Sequence, residues 1–468
     1  MAAGTRSLLE LAAEAAIAYR EAVATDTRPP RRGYHELRDL FASPVPEAGS
    51  APEEVIAHLA AMVEGGLMPM TGPRFFGWVI GSSHPVGVAA DWLTAAWGQN
   101  AGYHSPTPAM AAIEETAEGW LLDLLDLPCG SAIGFSTGAT VANGICLAAA
   151  RTGTLLKHNW DPDADGLFGA PPVHVLIGAD AHSSLFSSLQ LIGFGYNRVI
   201  KIATDGMGRM LPEALETAIA PLEGPKIIIA QAGQINTGAY DPFAALVRIA
   251  KAHDAWLHVD GAFGLWARAT DTHKHLTAGI EGADSWVTDG HKWLQVPYDS
   301  GFAIVRDKEV LLRAMTQWSS YLPSVSQGDR VPSNYVPELS RRARGVAVWA
   351  LIRMLGRTGI SDMVERHCRL AQRFAARLKQ EPGIRILNDV VLNQVIVSFG
   401  SGDAAARKAM TEAVIARVQK EGVLFAGGAQ WRDDWVMRLS VTSEPTTEAD
   451  IDISADAITG AWRAVQRG

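Results

Sequence analysis

Between residues 130 and 310 the chain repeats one pattern: a short unbroken apolar run, a polar cluster, then a helix-length segment. The runs fall at 133–138, 173–178, 199–202, 226–230, 256–259, 285–288 and 302–305. Unbroken runs of this length predict strands buried on both faces, and the spacers predict crossover helices. The region therefore predicts an α/β domain, a mostly parallel sheet flanked by helices. Ligands in such sheets bind beyond the carboxyl ends of the strands, and the polar clusters fall there.

The flanks differ. Residues 7–23 predict an amphipathic helix with Ser7 and Glu10 as a capping box and a stripe of Leu8, Leu11, Ala15 and Ala18. That stripe needs a cover, either the main body or a second subunit. Residues 25–52 predict an extended linker, and 53–64 a helix stopped by Gly65-Gly66. The aromatic stretch 73–81 predicts a core edge or a pocket wall. Ser105-Pro106 predicts the start of a long helix through Ile113, Trp120 and Leu124, ended by Pro128. Beyond 345 the pattern gives a helix at 346–355. A second helix follows, capped by Asp362 and Glu365, with the stripe Val364, Cys368, Ala371, Phe374 and Leu378. Strands at 395–399 and 435–441 and helices near 404–420 and 447–466 complete it. Three parts are expected: a helical N-terminal segment that packs in a dimer (1–70), a large ligand-binding domain (71–345) and a smaller α+β C-terminal domain (346–468).

Composition narrows the function. With 41 Lys and Arg against 50 Asp and Glu, the formal charge is −9, which disfavours nucleic-acid or anionic-membrane partners. Any anion must be held locally, by backbone amides and a few side chains. Cys129, Cys146 and Cys368 have no metal-ligand spacing, so no metal is expected, and they make no disulfide framework. No run has the length of a membrane span. Arg6, Glu10 and Glu14 in the first periodic run argue against a signal peptide. A cytoplasmic protein is expected.

Four polar clusters carry candidate chemistry. Lys292, between two strand-like runs, is an amine placed to form an imine with a carbonyl. Asp260 ends a strand. Ser136, Thr137 and the amides around Gly138 open a helix and form an anion cradle. His182 offers a flat ring. Singly, each has a plainer reading: surface charge, turn former, helix cap, structural histidine. Together they match what pyridoxal phosphate needs, namely an imine lysine, an acid on the pyridine nitrogen and a phosphate seat.

The set STGAT at 136–140, DAHSS at 180–184, HVDGAFG at 258–264 and HKW at 291–293 resembles the group II pyridoxal-phosphate-dependent decarboxylases. That family includes the aromatic amino acid, histidine, glutamate and diaminobutyrate decarboxylases. Order and spacing agree over about residues 70–350. The resemblance implies PLP fold type I, a homodimer with the site at the subunit interface, and conversion of an L-amino acid to its amine and carbon dioxide. Lys292 would carry the cofactor, Asp260 would keep its ring nitrogen protonated, His182 would stack on the ring and Ala262 would pack on its other face. Ser136, Thr137, Gly138 and His291 would lie near the phosphate. Gln234 falls where the family has a Thr-rich stretch. Asp289 stands where many members have Asn, and is expected to point away from the phosphate or to act with Thr288. The family's loop tyrosine, which protonates the substrate carbon, has Tyr321 and Tyr335 as candidates here, although counting back from Arg341 places Pro332 at the expected position. Without such a tyrosine, oxidative aldehyde formation or another carbon–carbon lyase reaction becomes the alternative. The wall 74–83 could meet the substrate side chain, and Asn100, Tyr103 and His104 could reach in from the neighbouring subunit; Trp78 and Tyr103 favour an aromatic substrate, and Arg74, Asn100 and His104 suit an acidic or polar one. The balance leans to an aromatic L-amino acid.

Overall fold

The computed structural model describes residues 2–316 and 329–467. Seven of the apolar runs form one sheet: β1 Ala132–Ser136, β2 His174–Gly178, β3 Ile200–Ile202, β4 Lys226–Gln231, β5 Trp256–Asp260, β6 Ser285–Asp289 and β7 Gly301–Val305, in the order β1-β7-β6-β5-β4-β2-β3. From β6 to β3 every pairing is parallel, while β7 runs antiparallel to both β1 and β6. The reversal follows from chain length. The 290–300 connection is too short for a crossover, which needs a dozen or more residues. Separate apolar clusters cover the two faces, one built around Trp266, Trp286 and Phe302, the other around Cys146, Ile177 and Ile229.

The doubly covered sheet brings five strand ends to one edge. Ser136 is opposite Gly301, Gly301 is opposite Asp289, and Asp260 is opposite Gln231. The motif residues are therefore neighbours although more than a hundred positions separate them.

A second sheet, β8 Ile384–Ile386, β9 Gln394–Phe399, β10 Gly427–Trp431 and β11 Asp434–Ser440, is antiparallel in the order β10-β11-β9-β8. Helix Ala404–Glu421 packs on it, and helix Glu448–Val465 packs beside that helix, with Trp462 against Phe399. The helix Gly345–Leu378 joins the two units. Val346–Leu351 lie in the large core, and Leu370–Leu378 in the small one. Its break comes at Gly356 (φ 63°), not at Asp362, because only glycine takes that conformation at no steric cost. Glu365, expected in a cap, instead accepts hydrogen bonds from Thr270 and from Thr272 at 2.8 Å.

The N-terminal helix spans Ala2–Ala22, so Ser7 lies inside it; its hydroxyl bonds Gly4 O and Glu53 rather than capping. The expected linker contains a helix, Tyr34–Phe41. Residues 73–81 thread between the units as a core edge. Phe76 N donates to Phe425 O at 2.9 Å, Ser440 N donates to Phe76 O at 3.0 Å, and the Phe76 ring packs on Phe374. Among the described residues no helix is long and apolar enough to cross a membrane.

As an edge strand, β1 leaves backbone groups without strand partners. Arg330 donates to Ile133 O at 2.8 Å, Arg341 donates to Phe135 O at 3.0 Å, and Glu118 accepts from Ile133 N at 2.7 Å. Glu114, 1% exposed, pairs with both arginines. Glu114→Gln leaves buried cationic charge uncompensated and is expected to cost about 3–5 kcal/mol. Urea denaturation of the cofactor-free protein checks this; a loss within the error of the titration would show that Glu118 alone neutralises both arginines.

Candidate active site

The lysine loop is built to hold one side chain still. On either side of Lys292, His291 is buried and Trp293 fully so. The Trp293 indole donates to His367 Nδ1 at 2.9 Å. Gln295 takes a left-handed backbone (φ 63°), and its buried amide ties three segments together. Its Oε1 accepts from Ser82 N at 2.7 Å, and its Nε2 donates to Trp293 O at 2.9 Å and Thr442 O at 2.8 Å. Gly81 lies against the same loop. A Cβ there would meet Lys292 O at 2.2 Å, so only glycine fits.

The Lys292 side chain enters a cavity of about 350 Å³ at the sheet edge, lined also by Thr137, Gly138, His182, Asp260, Ala262, Asp289, His291 and Tyr298. Its volume lies within the usual range for small-ligand sites. The expected cluster is thus largely assembled, with four departures. Ser136 is fully buried behind the wall, its hydroxyl 3.3 Å from Gly301 O. Gln234 turns its amide to its own backbone, accepting from Asn236 N at 2.6 Å and donating to Asp180 O at 3.2 Å, while Gln231 lines the cavity instead. Tyr335 is buried with its ring 4.0 Å from the Arg330 guanidinium and does not line the cavity. Tyr321 lies outside the described residues.

Asp260 is 6% exposed. Its Oδ1 accepts from Ala262 N at 3.1 Å, and its Oδ2 from Asn143 Nδ2 at 3.4 Å. Burial raises its pKa, and the charges of His182 and Lys292 draw it back. Behind it runs a buried chain that sequence reading did not assign. Asn143 Oδ1 meets His258 Nε2 at 2.8 Å, His258 Nδ1 meets Ser285 Oγ at 2.8 Å, and Ser285 Oγ accepts from the Trp256 indole at 2.9 Å. Asn143 must turn its NH2 to the acid, so its oxygen faces His258, which is the donor through Nε2. Burial pushes the His258 pKa down to about 3, so it stays neutral and the chain keeps one polarity.

His182 Nδ1 lies 2.8 Å from Ser184 Oγ and accepts from Ser184 N at 3.3 Å, which places the proton of the neutral ring on Nε2. Desolvation lowers its pKa, opposed by Asp260 and assisted by Lys292 and Arg438. Arg438, on β11, was also missed. It is partly buried, and among the described residues its guanidinium has no hydrogen bond or ion pair. His291 Nδ1 accepts from Ser300 N at 3.2 Å, and the Tyr298 ring stacks on His291 at 4.4 Å. Partial desolvation and the nearby Asp289 push the phenol of the half-exposed Tyr298 up to about 12. Asp289 does not point away: it accepts from Ala139 N at 2.7 Å, at the start of helix Ala139–Lys157.

Two expected substrate contacts are spent elsewhere. Arg74 pairs with Asp450 at 2.9 Å and donates to Val423 O at 2.9 Å. Asn100 Oδ1 accepts from Arg341 N at 3.0 Å. Trp78 does not line the cavity; Tyr103 and His104, expected to serve the cavity of a second subunit, likewise lie away from this one.

The residues present fit pyridoxal phosphate. A buried acid without a cation bonded to it suits a protonated ring nitrogen, an amine lies across the cavity from it, and a helix N-terminus faces the same space.

Comparison with known proteins agrees. Residues 35–400 match the family model for the pyridoxal-dependent decarboxylase conserved domain. An aromatic-L-amino-acid decarboxylase of Bacillus atrophaeus is 26% identical over 435 residues, covering 89% of this chain and 87% of that protein. An acidic amino acid decarboxylase of Homo sapiens is 26% identical over 455 residues, covering 92% and 84%. Oryza sativa TDC, solved with PLP and tryptamine, shares the fold with a TM-score of 0.91 at 22% identity, over 99% of this chain and 98% of that one.

Proposed function

Because the chain belongs to the pyridoxal-dependent decarboxylase family, we propose that this amino acid decarboxylase converts an aromatic L-amino acid to its amine and carbon dioxide. The observation that carries the substrate choice is the supply of cations. Arg438 does not itself line the cavity, but its guanidinium is unpaired among the described residues and its charge is felt at His182, so in this reading it meets one substrate carboxylate. Arg74, the candidate for a second, is consumed by Asp450. The cavity wall includes Ile235, Phe263 and Tyr298 instead. An aromatic ring matches those walls, whereas a second carboxylate would be desolvated without a partner.

Bound pyridoxal phosphate supplies an electron sink for the pair released when the bond between the α-carbon and the carboxylate breaks. Lys292 provides the amine for covalent attachment. Asp260, held by Ala262 N and Asn143, would keep a proton on the ring nitrogen. His182 lines the cavity with its proton on Nε2. The α-carbon must then gain one proton in place of the lost carboxylate. Tyr298, a half-exposed tyrosine of the cavity wall, is the donor in this reading.

A second copy of the chain completes the site in this reading. Ile17 on helix Ala2–Ala22 and Trp92, Leu93 and Trp97 on helix Pro85–Trp97 are about half exposed, an apolar surface suited to a homodimer.

The displacement of Tyr335 from the cavity favours the oxidative aldehyde-forming reaction as the second reading. One experiment separates them. Holoenzyme supplied with aromatic, acidic and basic L-amino acids is expected to release one amine and one carbon dioxide per aromatic substrate, without oxygen uptake. Aldehyde and peroxide would select the second reading. Turnover of acidic amino acids alone would refute the substrate assignment.

A further inference from the structure

The end of the cavity that suits a phosphate already holds an anion. The first amide of helix Ala139–Lys157 donates to Asp289 Oδ1 at 2.7 Å. The other oxygen, Oδ2, is 3.1 Å from Lys292 Nζ and 3.6 Å from His291 Nε2. Asp289 is 2% exposed, at the last position of β6. Little slack exists around it. Gly138 and Gly301 press together so closely that a Cβ on Gly301 would lie 2.4 Å from Gly138 Cα, and one on Gly138 would lie 3.0 Å from the His291 ring. Helix start, strand end and carboxylate are therefore fixed relative to one another.

We propose that Asp289 is an internal stand-in for the cofactor's phosphate: it occupies the helix N-terminus and pairs with Lys292 in the cofactor-free protein, and it weakens the hold on the phosphate group that must replace it. The reason is electrostatic. A helix N-terminus favours one anion, and a second at hydrogen-bond range in a poorly solvated site is repelled by the first. Loading is then an exchange. The phosphate takes the helix amides from Oδ1, and covalent attachment takes the Lys292 amine from Oδ2, so both partners of Asp289 are lost together. In return, the cofactor-free protein keeps its buried amide and its lysine satisfied. The inference rests on the cofactor seat described above and is independent of the substrate.

The test uses cofactor-free wild type and Asp289→Asn, each titrated with pyridoxal phosphate and with pyridoxal, which lacks the phosphate. Asparagine keeps the size and an acceptor oxygen but removes the charge. Any effect on Lys292 changes both affinities, so the ratio Kd(pyridoxal)/Kd(pyridoxal phosphate) isolates the phosphate. That ratio is expected to rise about tenfold or more in Asp289→Asn. An unchanged or smaller ratio, or no binding of either aldehyde to the wild type, would overturn the proposal. Inorganic phosphate gives a second readout. It is expected to raise the Tm of cofactor-free Asp289→Asn more than that of wild type, and equal shifts would overturn the proposal. Should Asp289→Asn not fold, Asp289→Ser makes the same two comparisons.

Discussion

Replacing Asp260 with asparagine is expected to lower kcat by about a hundredfold to ten-thousandfold, the cost of truncating a buried, hydrogen-bonded charge pair. The carboxylate has two donors in the protein, Ala262 N and Asn143 Nδ2. Its remaining capacity faces the cavity, where a protonated ring nitrogen supplies the missing donor and the charge. A neutral amide cannot hold that proton, so the ring would no longer draw off the electron pair. The KM is expected to change much less, because the lost interaction strengthens only as the bond breaks. Loss of fold is separable from loss of chemistry. Burial already raises the Asp260 pKa, so in the cofactor-free protein its ionised form is held against a desolvation penalty. Removing the charge should leave the cofactor-free Tm unchanged or higher. A kcat within tenfold of wild type would mean that another group supports the ring nitrogen.

Lys292→Ala is expected to abolish covalent attachment of the cofactor. Turnover should be lost with it, since no other amine lines the cavity among the described residues. The backbone of the loop should survive, since Trp293 bonds His367 and Gln295 bonds Ser82 and Thr442 without help from the lysine. Lys292→Arg is the sharper control. It keeps a cation for Asp289 but has no nucleophilic amine, so it should be as inactive as alanine while matching wild type in cofactor-free stability. Appreciable activity in the arginine variant would reduce Lys292 to a charge partner.

Strand positions were legible because unbroken apolar runs have few other uses, and the motif residues were legible because they sit at the ends of those runs. Strand direction was not: 302–305 reads the same in either sense, and only the short 290–300 connection signals the reversal. Helix breaks were misplaced where a capping pair, Asp362 and Glu365, outweighed Gly356, whose positive φ fixes the break. Asn143 and His258 escaped notice because one polar residue inside an apolar element has no periodicity of its own; its meaning comes from partners 115 positions apart. Arg438 was missed for a related reason, since its importance lies in the absence of a partner among the described residues. Asp289 was expected to point away from the anion seat or to act with Thr288 because its charge was set against the phosphate alone. The helix amide and the Lys292 amine, which become its neighbours only in the fold, satisfy it there.

The central claim is that Lys292 is the residue to which the cofactor is attached, at the edge shared by Asp260 and the helix start. Borohydride reduction of the holoenzyme followed by peptide mapping tests it most directly. The account predicts the pyridoxyl mass on the peptide containing Lys292 in wild type and its absence from that peptide in Lys292→Ala. Label on a different lysine in wild type, or no label after reduction, would contradict it.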